Sequence, residues 1–230
     1  MKTIGLLGGM SWESSALYYR WINEIVRQKL GGLHSARIAM VSVDFQGIED
    51  LQHKNKWEES GEVLSKAAAQ VEAAGADFLL ICTNTMHKVA PQIEAAISIP
   101  LLHIADATAE EIKKQGFSTI GLLGTNFTME QEFYAGRLAK KHGLKVLIPP
   151  KEDRAIVHRI IYEELVVGIV KEGSRAEYLR IMRDLQAQGA EGVIEGCTEI
   201  VTLVQQEHTS IPLFDTTAIH AQKAVEMALS

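Results

Sequence analysis

Ile4-Gly5-Leu6-Leu7-Gly8, close to the N-terminus, returns as Ile120-Gly121-Leu122-Leu123-Gly124, 116 residues later. A continuous apolar run of four or five residues closed by glycine is the pattern of a strand buried on both faces of a parallel sheet. Two further anchors repeat in the same order. Gly75-Ala76-Asp77 recurs as Gly189-Ala190-Glu191 after 114 residues, each ahead of a short apolar run (Phe78 to Ile81, Gly192 to Ile194). Ile99-Pro100-Leu101 then recurs as Ile211-Pro212-Leu213 after 112. Anchors that keep their order and drift so little mark two homologous halves, too long for a solenoid unit and the length of a duplicated domain.

Strands of this kind need crossover helices, and amphipathic segments follow them. They run over 14–28 with Leu17, Ile22, Ile25 and Val26, over 60–74 rich in Ala and Val, over 129–142, and over 175–188 with Tyr178, Ile181, Met182 and Leu185. The order strand, helix, strand, helix predicts an α/β fold: two similar doubly wound parallel-sheet halves related by pseudo-two-fold duplication. The active site is expected between them, beyond the carboxyl ends of the strands. The halves are expected over 1–115 and 116–215, with the last helix, within 216–230, packing back on the first.

Composition narrows the function. The chain has 230 residues, 47% apolar and 23% charged, the usage of an ordinary globular protein and not of a disordered or fibrous one. Its net charge of −6, with acids and bases interspersed, offers no basic stripe for a phosphate backbone, so nucleic acid is not an expected partner. No apolar run reaches the roughly 18 to 20 residues that cross a bilayer, and Met1-Lys2-Thr3-Ile4-Gly5 does not read as a signal peptide, so the expectation is a cytoplasmic protein with no membrane partner. Two cysteines, Cys82 and Cys197, build neither a disulfide framework nor a four-cysteine zinc site, and the eight histidines lack zinc-protease spacing. No metal is expected. Gly8-Gly9 follows a strand, but the surrounding residues match neither GxGxxG nor a phosphate loop ending in GK[ST], and no cofactor is expected either.

The 114-residue offset makes Thr83, in Ile81-Cys82-Thr83-Asn84-Thr85, the repeat mate of Cys197, in Glu195-Gly196-Cys197-Thr198-Glu199. Both stretches put small polar side chains and backbone N–H groups where a strand hands over to a helix, a cradle for a carboxylate or an incipient oxyanion. Together with Gly8-Gly9-Met10, Gly124-Thr125, Thr128 and His87, these motifs closely resemble the aspartate/glutamate racemase family over essentially the whole chain. That resemblance implies a cofactor-independent amino-acid racemase in which two thiols stand on opposite faces of the substrate α-carbon, one removing the proton and the other returning one. It also implies that the C-terminal cysteine works on the L-enantiomer, and that the protein is a homodimer.

The sequence departs from the family pattern at Thr83, where the first thiol is expected, with Cys82 one position earlier. A thiol ionises near 8.5 and falls lower at a helix N-terminus, so a thiolate serves as base near neutral pH, whereas a threonine hydroxyl is a poor base. Cys197 and Thr83 are therefore the candidate catalytic pair, favouring L-substrates. Alternation along the strand turns Cys82 to the opposite face, where a buried cysteine is ordinary packing. Candidate substrate contacts are Met10, Gln46, Asn84, Thr85, His87, Thr125 and Thr198, several of which also suit helix caps or turns. Trp12, Trp21 and Trp57 read as packing residues. A distal carboxylate calls for a cation, and Lys88, Arg37 and Arg159 are the candidates. Competing readings are a single-cysteine decarboxylase of malonate-type acids, a broad-specificity amino-acid racemase and a non-catalytic two-lobed binding module.

Overall fold

A computed structural model describes residues 1–230 as two compact units, Met1–Ile104 with His220–Ser230, and Ala105–Ile219. The chain runs β1 (Ile4–Gly8), α1 (Trp12–Leu30), β2 (Ile38–Ser42), α2 (Phe45–His53), α3 (Trp57–Ala73), β3 (Phe78–Ile81), a 3₁₀ turn at Thr85–Val89 and α4 (Ala90–Ala95). It continues as α5 (Ile104–Lys114), β4 (Thr119–Gly124), α6 (Asn126–Glu130), α7 (Ala135–His142), β5 (Lys145–Leu147), α8 (Lys151–Glu163) and α9 (Glu172–Ala187). β6 (Gly192–Gly196), α10 (Ile200–Leu203), β7 (Leu213–Asp215) and α11 (Thr216–Leu229) complete it. No helix is long and apolar enough to cross a membrane.

In the first unit three parallel strands lie in the order β2-β1-β3. Successive side chains of a strand point to opposite faces, and both faces here are buried. Ile4, Leu6, Phe78, Leu80 and Cys82 pack with Tyr18, Ile22 and Val26 of α1 and with Ala221, Ala224, Val225 and Ala228 of α11. Leu7, Leu79 and Ile81 face the other way, onto Leu64, Ala68 and Val71 of α3 and Ile48 of α2. A Cβ on Gly5 would lie 2.7 Å from Val71 and from the Phe78 carbonyl, so the bare backbone is what lets α3 approach the sheet.

The second unit has four parallel strands, β5-β4-β6-β7. A Cβ on Gly121 would lie 3.1 Å from Leu185, which puts α9 on the sheet face shared by Val193, Glu195 and their register partners Leu213 and Asp215. The Tyr178 hydroxyl donates to the Val157 carbonyl at 3.0 Å, joining α9 to α8 on that face.

The repeat is visible bond by bond. Asp77 N–H donates to the Thr3 carbonyl, and Glu191 N–H to the Thr119 carbonyl, each at 2.9 Å. The same two carboxylates accept backbone N–H groups at the start of the central strands, from Thr3 and from Ser118 and Thr119. Leu79 N–H donates to the Pro100 carbonyl at 2.9 Å and Val193 N–H to the Pro212 carbonyl at 2.8 Å. The halves diverge after that point: Leu213–Asp215 forms a strand, whereas around Leu101 there is one isolated bridge to Leu79.

The segment expected as a single helix over 129–142 is two helices, α6 and α7, separated by turn residues up to Tyr134. Tyr134 is fully buried and its ring meets Phe133 edge-on at 6.4 Å, so aromatic packing breaks the helical path where neither Gly nor Pro does.

Candidate active site

Each unit presents its polar cradle at the carboxyl ends of two adjacent strands, β1 and β3 in the first and β4 and β6 in the second. In the first, β1 runs into Gly8-Gly9. Gly9 holds φ +95, and a Cβ there would lie 2.1 Å from the Val43 carbonyl, so no other residue fits this turn. Gly9 N–H donates to the Ser15 hydroxyl at 2.8 Å, and Ser11 caps α1 by accepting from Ser14 N–H at 3.3 Å. Beyond β3, Thr83 and Thr85 are half-buried, while Asn84 and His87 are buried.

His87 is locked by the backbone on both sides of its ring. Ile104 N–H donates to Nε2 at 3.2 Å, which leaves Nδ1 carrying the proton and donating to the Thr83 carbonyl at 2.8 Å. Its ring lies 4.4 Å from that of His103 and 6.1 Å from that of His220. The Tyr18 hydroxyl bonds His220 Nδ1 at 2.7 Å while Nε2 bonds the Leu102 carbonyl at 2.8 Å, and burial, with His87 beside it, drives the His220 pKa down to about 3. Three histidine rings thus cluster beside the Thr83 strand end, and His220 among them is held neutral.

In the second unit Thr125 caps α6, its hydroxyl accepting from Thr128 N–H at 3.3 Å. Past β6, Cys197 and Glu199 are half-buried and Thr198 is buried. The Cys197 thiol donates to Glu199 Oε2 at 2.9 Å. Burial, and next the Glu199 carboxylate, push this thiol well above its ordinary value, opposed more weakly by the Thr198 and Glu199 backbone N–H groups. The resting sulfur is therefore a thiol hydrogen-bonded to a carboxylate, and not the free thiolate that strand-end placement alone led one to expect.

Cys82 lies in the apolar core beside Ile4, Leu6 and Phe78, and burial raises its thiol pKa far above the ordinary value. Several expected contacts lie elsewhere. Met10 packs in the first unit's core. Gln46 is exposed, its amide donating to Glu49 and Asp50 on its own helix. Of the tryptophans read as packing residues, Trp12 is 68% exposed. Among the candidate cations, Arg37 and Arg159 are exposed, the latter beside Glu163, while Lys88 sits 3.6 Å over the Trp57 ring.

Sequence reasoning overlooked Glu195, which is buried to 3% exposure two residues before Cys197. Its signal was a carboxylate inside the apolar run Gly192-Val193-Ile194-Glu195-Gly196.

Residues 7–224 match the Asp/Glu/Hydantoin racemase family model. A solved structure described as that of a candidate Asp/Glu racemase from Yersinia pestis is 57% identical, covers all of both chains and superposes with a TM-score of 0.95. An aspartate racemase homologue from Pyrococcus horikoshii OT3 is 35% identical over all of both chains, with a TM-score of 0.88. The broad-specificity amino-acid racemase RacX of Bacillus subtilis (strain 168) is 23% identical across 99% of this chain and 98% of its own. With two parallel α/β sheets and a match over nearly its full length, the chain belongs to the Asp/Glu/Hydantoin racemase family and is an isomerase of the racemase type.

Proposed function

We propose that the protein racemises aspartate and glutamate without a cofactor, taking the L-enantiomer, with Cys197 and Thr83 acting on opposite faces of the α-carbon. The observation that carries this reading is the 2.9 Å hydrogen bond from the Cys197 thiol to Glu199, because it supplies the thiol with its own proton acceptor. In the proposed cycle Glu199 takes the thiol proton, the thiolate removes the α-proton of the L-substrate, and the carbanion is reprotonated from the other face by the Thr83 hydroxyl or a water it orders; solvent then returns a proton to the oxyanion so formed while Glu199 releases its own to solvent, which restores the starting state. The N–H groups of the two strand-to-helix cradles bind the substrate's carboxylates and the developing enolate oxygen. Asn84, Thr85, Thr125 and Thr198 flank these cradles and complete the proposed contacts. His87, both of whose ring nitrogens bond the backbone, fixes the Thr83 backbone and is not itself a contact in this reading.

The homodimer implied by family resemblance is supported by an uncovered apolar surface on the first unit. Trp12, Tyr19 and Met40 line one hollow beside the edge strand β2. The test of the catalytic reading is proton NMR in D₂O with L-Asp, D-Asp, L-Glu and D-Glu in separate tubes. Loss of the α-proton signal is expected from the L-substrates far faster than from the D-substrates, and abolished in Cys197→Ala. Exchange in none of the four tubes overturns the acidic amino-acid reading, and release of CO₂ from a malonate would replace it with a decarboxylase.

A further inference from the structure

Glu195 takes no part in the cycle above, yet it is a carboxyl group buried in the second unit. Its Oε1 has no hydrogen-bond partner and the residue is 3% exposed. A buried carboxylate without donors forfeits its hydration and regains nothing, which in practice it avoids by staying protonated.

The sheet fixes where this carboxyl stands. Glu195 stands in β6 on the face covered by α9, and Cys197 follows one residue past the strand's end, both close enough to Tyr178 of α9 for their charges to act on its hydroxyl. Its register partner on β7 is Asp215. From α9, the Tyr178 hydroxyl feels the charges of Cys197, Glu164 and Glu195 together, and all three raise its pKa in addition to burial. Glu164, at the end of α8, is bonded by Ser174 at 2.6 Å and lies 3.3 Å from Lys171. Glu199 follows on the loop of Cys197 itself. The β4 partner of Glu195 is apolar Leu123. The face is thus crowded with acids, and the cations that act on one of them, Lys171 and Arg159, do so at Glu164.

The strand neighbours also settle which acid holds the proton. Asp215 Oδ1 accepts from Thr217 N–H at 2.9 Å and Ala218 N–H at 3.0 Å, at the start of α11, where a helix N-terminus favours negative charge. Glu195 has no donor. Burial raises the pKa of both acids, but the two backbone donors oppose it only at Asp215, and two like charges at paired strand positions repel, so Asp215 keeps the charge and Glu195 the proton.

We propose that Glu195 is a positioning residue for the Cys197 thiol, a carboxylic acid held neutral at the same strand end, whose ionisation suppresses formation of the Cys197 thiolate. Burial, then the Asp215 charge, raise its pKa to about 8, so it changes state just above neutrality. Below that point Glu199 is free to draw the proton from Cys197. Above it, a further negative charge on the face opposes the thiolate. This rests on Cys197 as the working thiol, but its test does not require turnover.

The experiment is the pH dependence of Cys197 alkylation by iodoacetamide, followed site by site by mass spectrometry, in the wild type and in Glu195→Gln. Gln keeps the shape of the neutral acid and cannot ionise. The wild-type rate is expected to rise with pH in two stages, held back above pH about 8, whereas Glu195→Gln rises in one stage with its midpoint about one pH unit lower. Superimposable profiles overturn the proposal. Infrared spectra of the wild type at pH 7 supply a second measurement: a protonated-carboxyl band that disappears in Glu195→Gln is expected, and a spectrum unchanged by that substitution also overturns it. Alkylation profiles that differ while no amino acid exchanges its α-proton would leave Glu195 in its role and remove only the racemase substrate reading.

Discussion

The imidazole of His87 donates from Nδ1 to the carbonyl of Thr83 at 2.8 Å, so the residue expected to face the substrate instead holds the strand end that carries the candidate hydroxyl. His87→Phe removes this bond and the acceptor for Ile104 N–H while keeping the ring volume. Leaving those backbone groups unpaired in the interior costs about 1–3 kcal/mol each. A lower melting temperature is expected by differential scanning fluorimetry, with kcat falling more than KM rises. An unchanged melting temperature would show that the bonds stabilise nothing.

Thr83→Cys puts a thiol where the first half has a hydroxyl, since Cys82 lies in the core on the other side of the strand. α-Proton exchange from D-Asp or D-Glu in D₂O is expected to rise on the order of 10²-fold or more, the usual worth of a positioned acid–base group. Cys82→Ser should leave exchange from the L-substrates within about twofold, and its loss would return Cys82 to the site.

Glu195 also makes stability depend on pH. Its folded pKa, about 8, lies above its ordinary 4.5, so the folded chain holds a proton that the unfolded chain has lost between those values. Stability contributed by the neutral form is therefore complete below pH 4.5 and declines as pH rises toward 8. The full span corresponds to roughly 5 kcal/mol at about 1.4 kcal/mol per pH unit. Urea unfolding at pH 5 and pH 8.5 should show this decline in the wild type and a flatter dependence in Glu195→Gln.

His220 has the opposite sign. Its folded pKa, about 3, lies below the ordinary 6.5, so protonation favours the unfolded chain, and the contribution present above pH 6.5 is lost as pH falls toward 3. The loss amounts to roughly 4 kcal/mol by pH 3. His220→Gln is expected to be less stable than the wild type at pH 7, because the Tyr18 and Leu102 bonds are disturbed, but to lose less on acidification when both are followed by circular dichroism.

Met40→Glu and Tyr19→Glu add charge to exposed apolar positions that carry no core packing. If this surface joins two copies, sedimentation should move from dimer to monomer with the melting temperature of the monomer little altered. A dimer that persists in both variants would place the interface elsewhere.

The fold was legible because its evidence is local and duplicated. A strand buried on both faces must be apolar throughout, and the Gly-Ala-Asp/Glu anchors mark backbone bonds that recur in both halves. The candidate site was half legible. Cys197 and Thr83 stand out by repeat position, but the burial of Met10, the outward amide of Gln46 and the exposure of Trp12 depend on how helices seat on the sheet, which no short pattern encodes. The break at Tyr134 has the same cause, an aromatic side chain claimed by the core against a continuous helical pattern. The two backbone bonds of His87 were not legible because a buried imidazole between two backbone partners and one facing a ligand look identical in sequence.

The first unit is assembled from both ends of the chain, with Lys2 N–H donating to the Ala228 carbonyl at 2.8 Å and α11 filling one face of the β1–β3 sheet. During synthesis its opening strand must wait, one face uncovered, until α11 has left the ribosome, whereas the segment 105–219 has already been made. Loss of residues 220–230 would then undo the first unit, although every other part of that unit precedes residue 105.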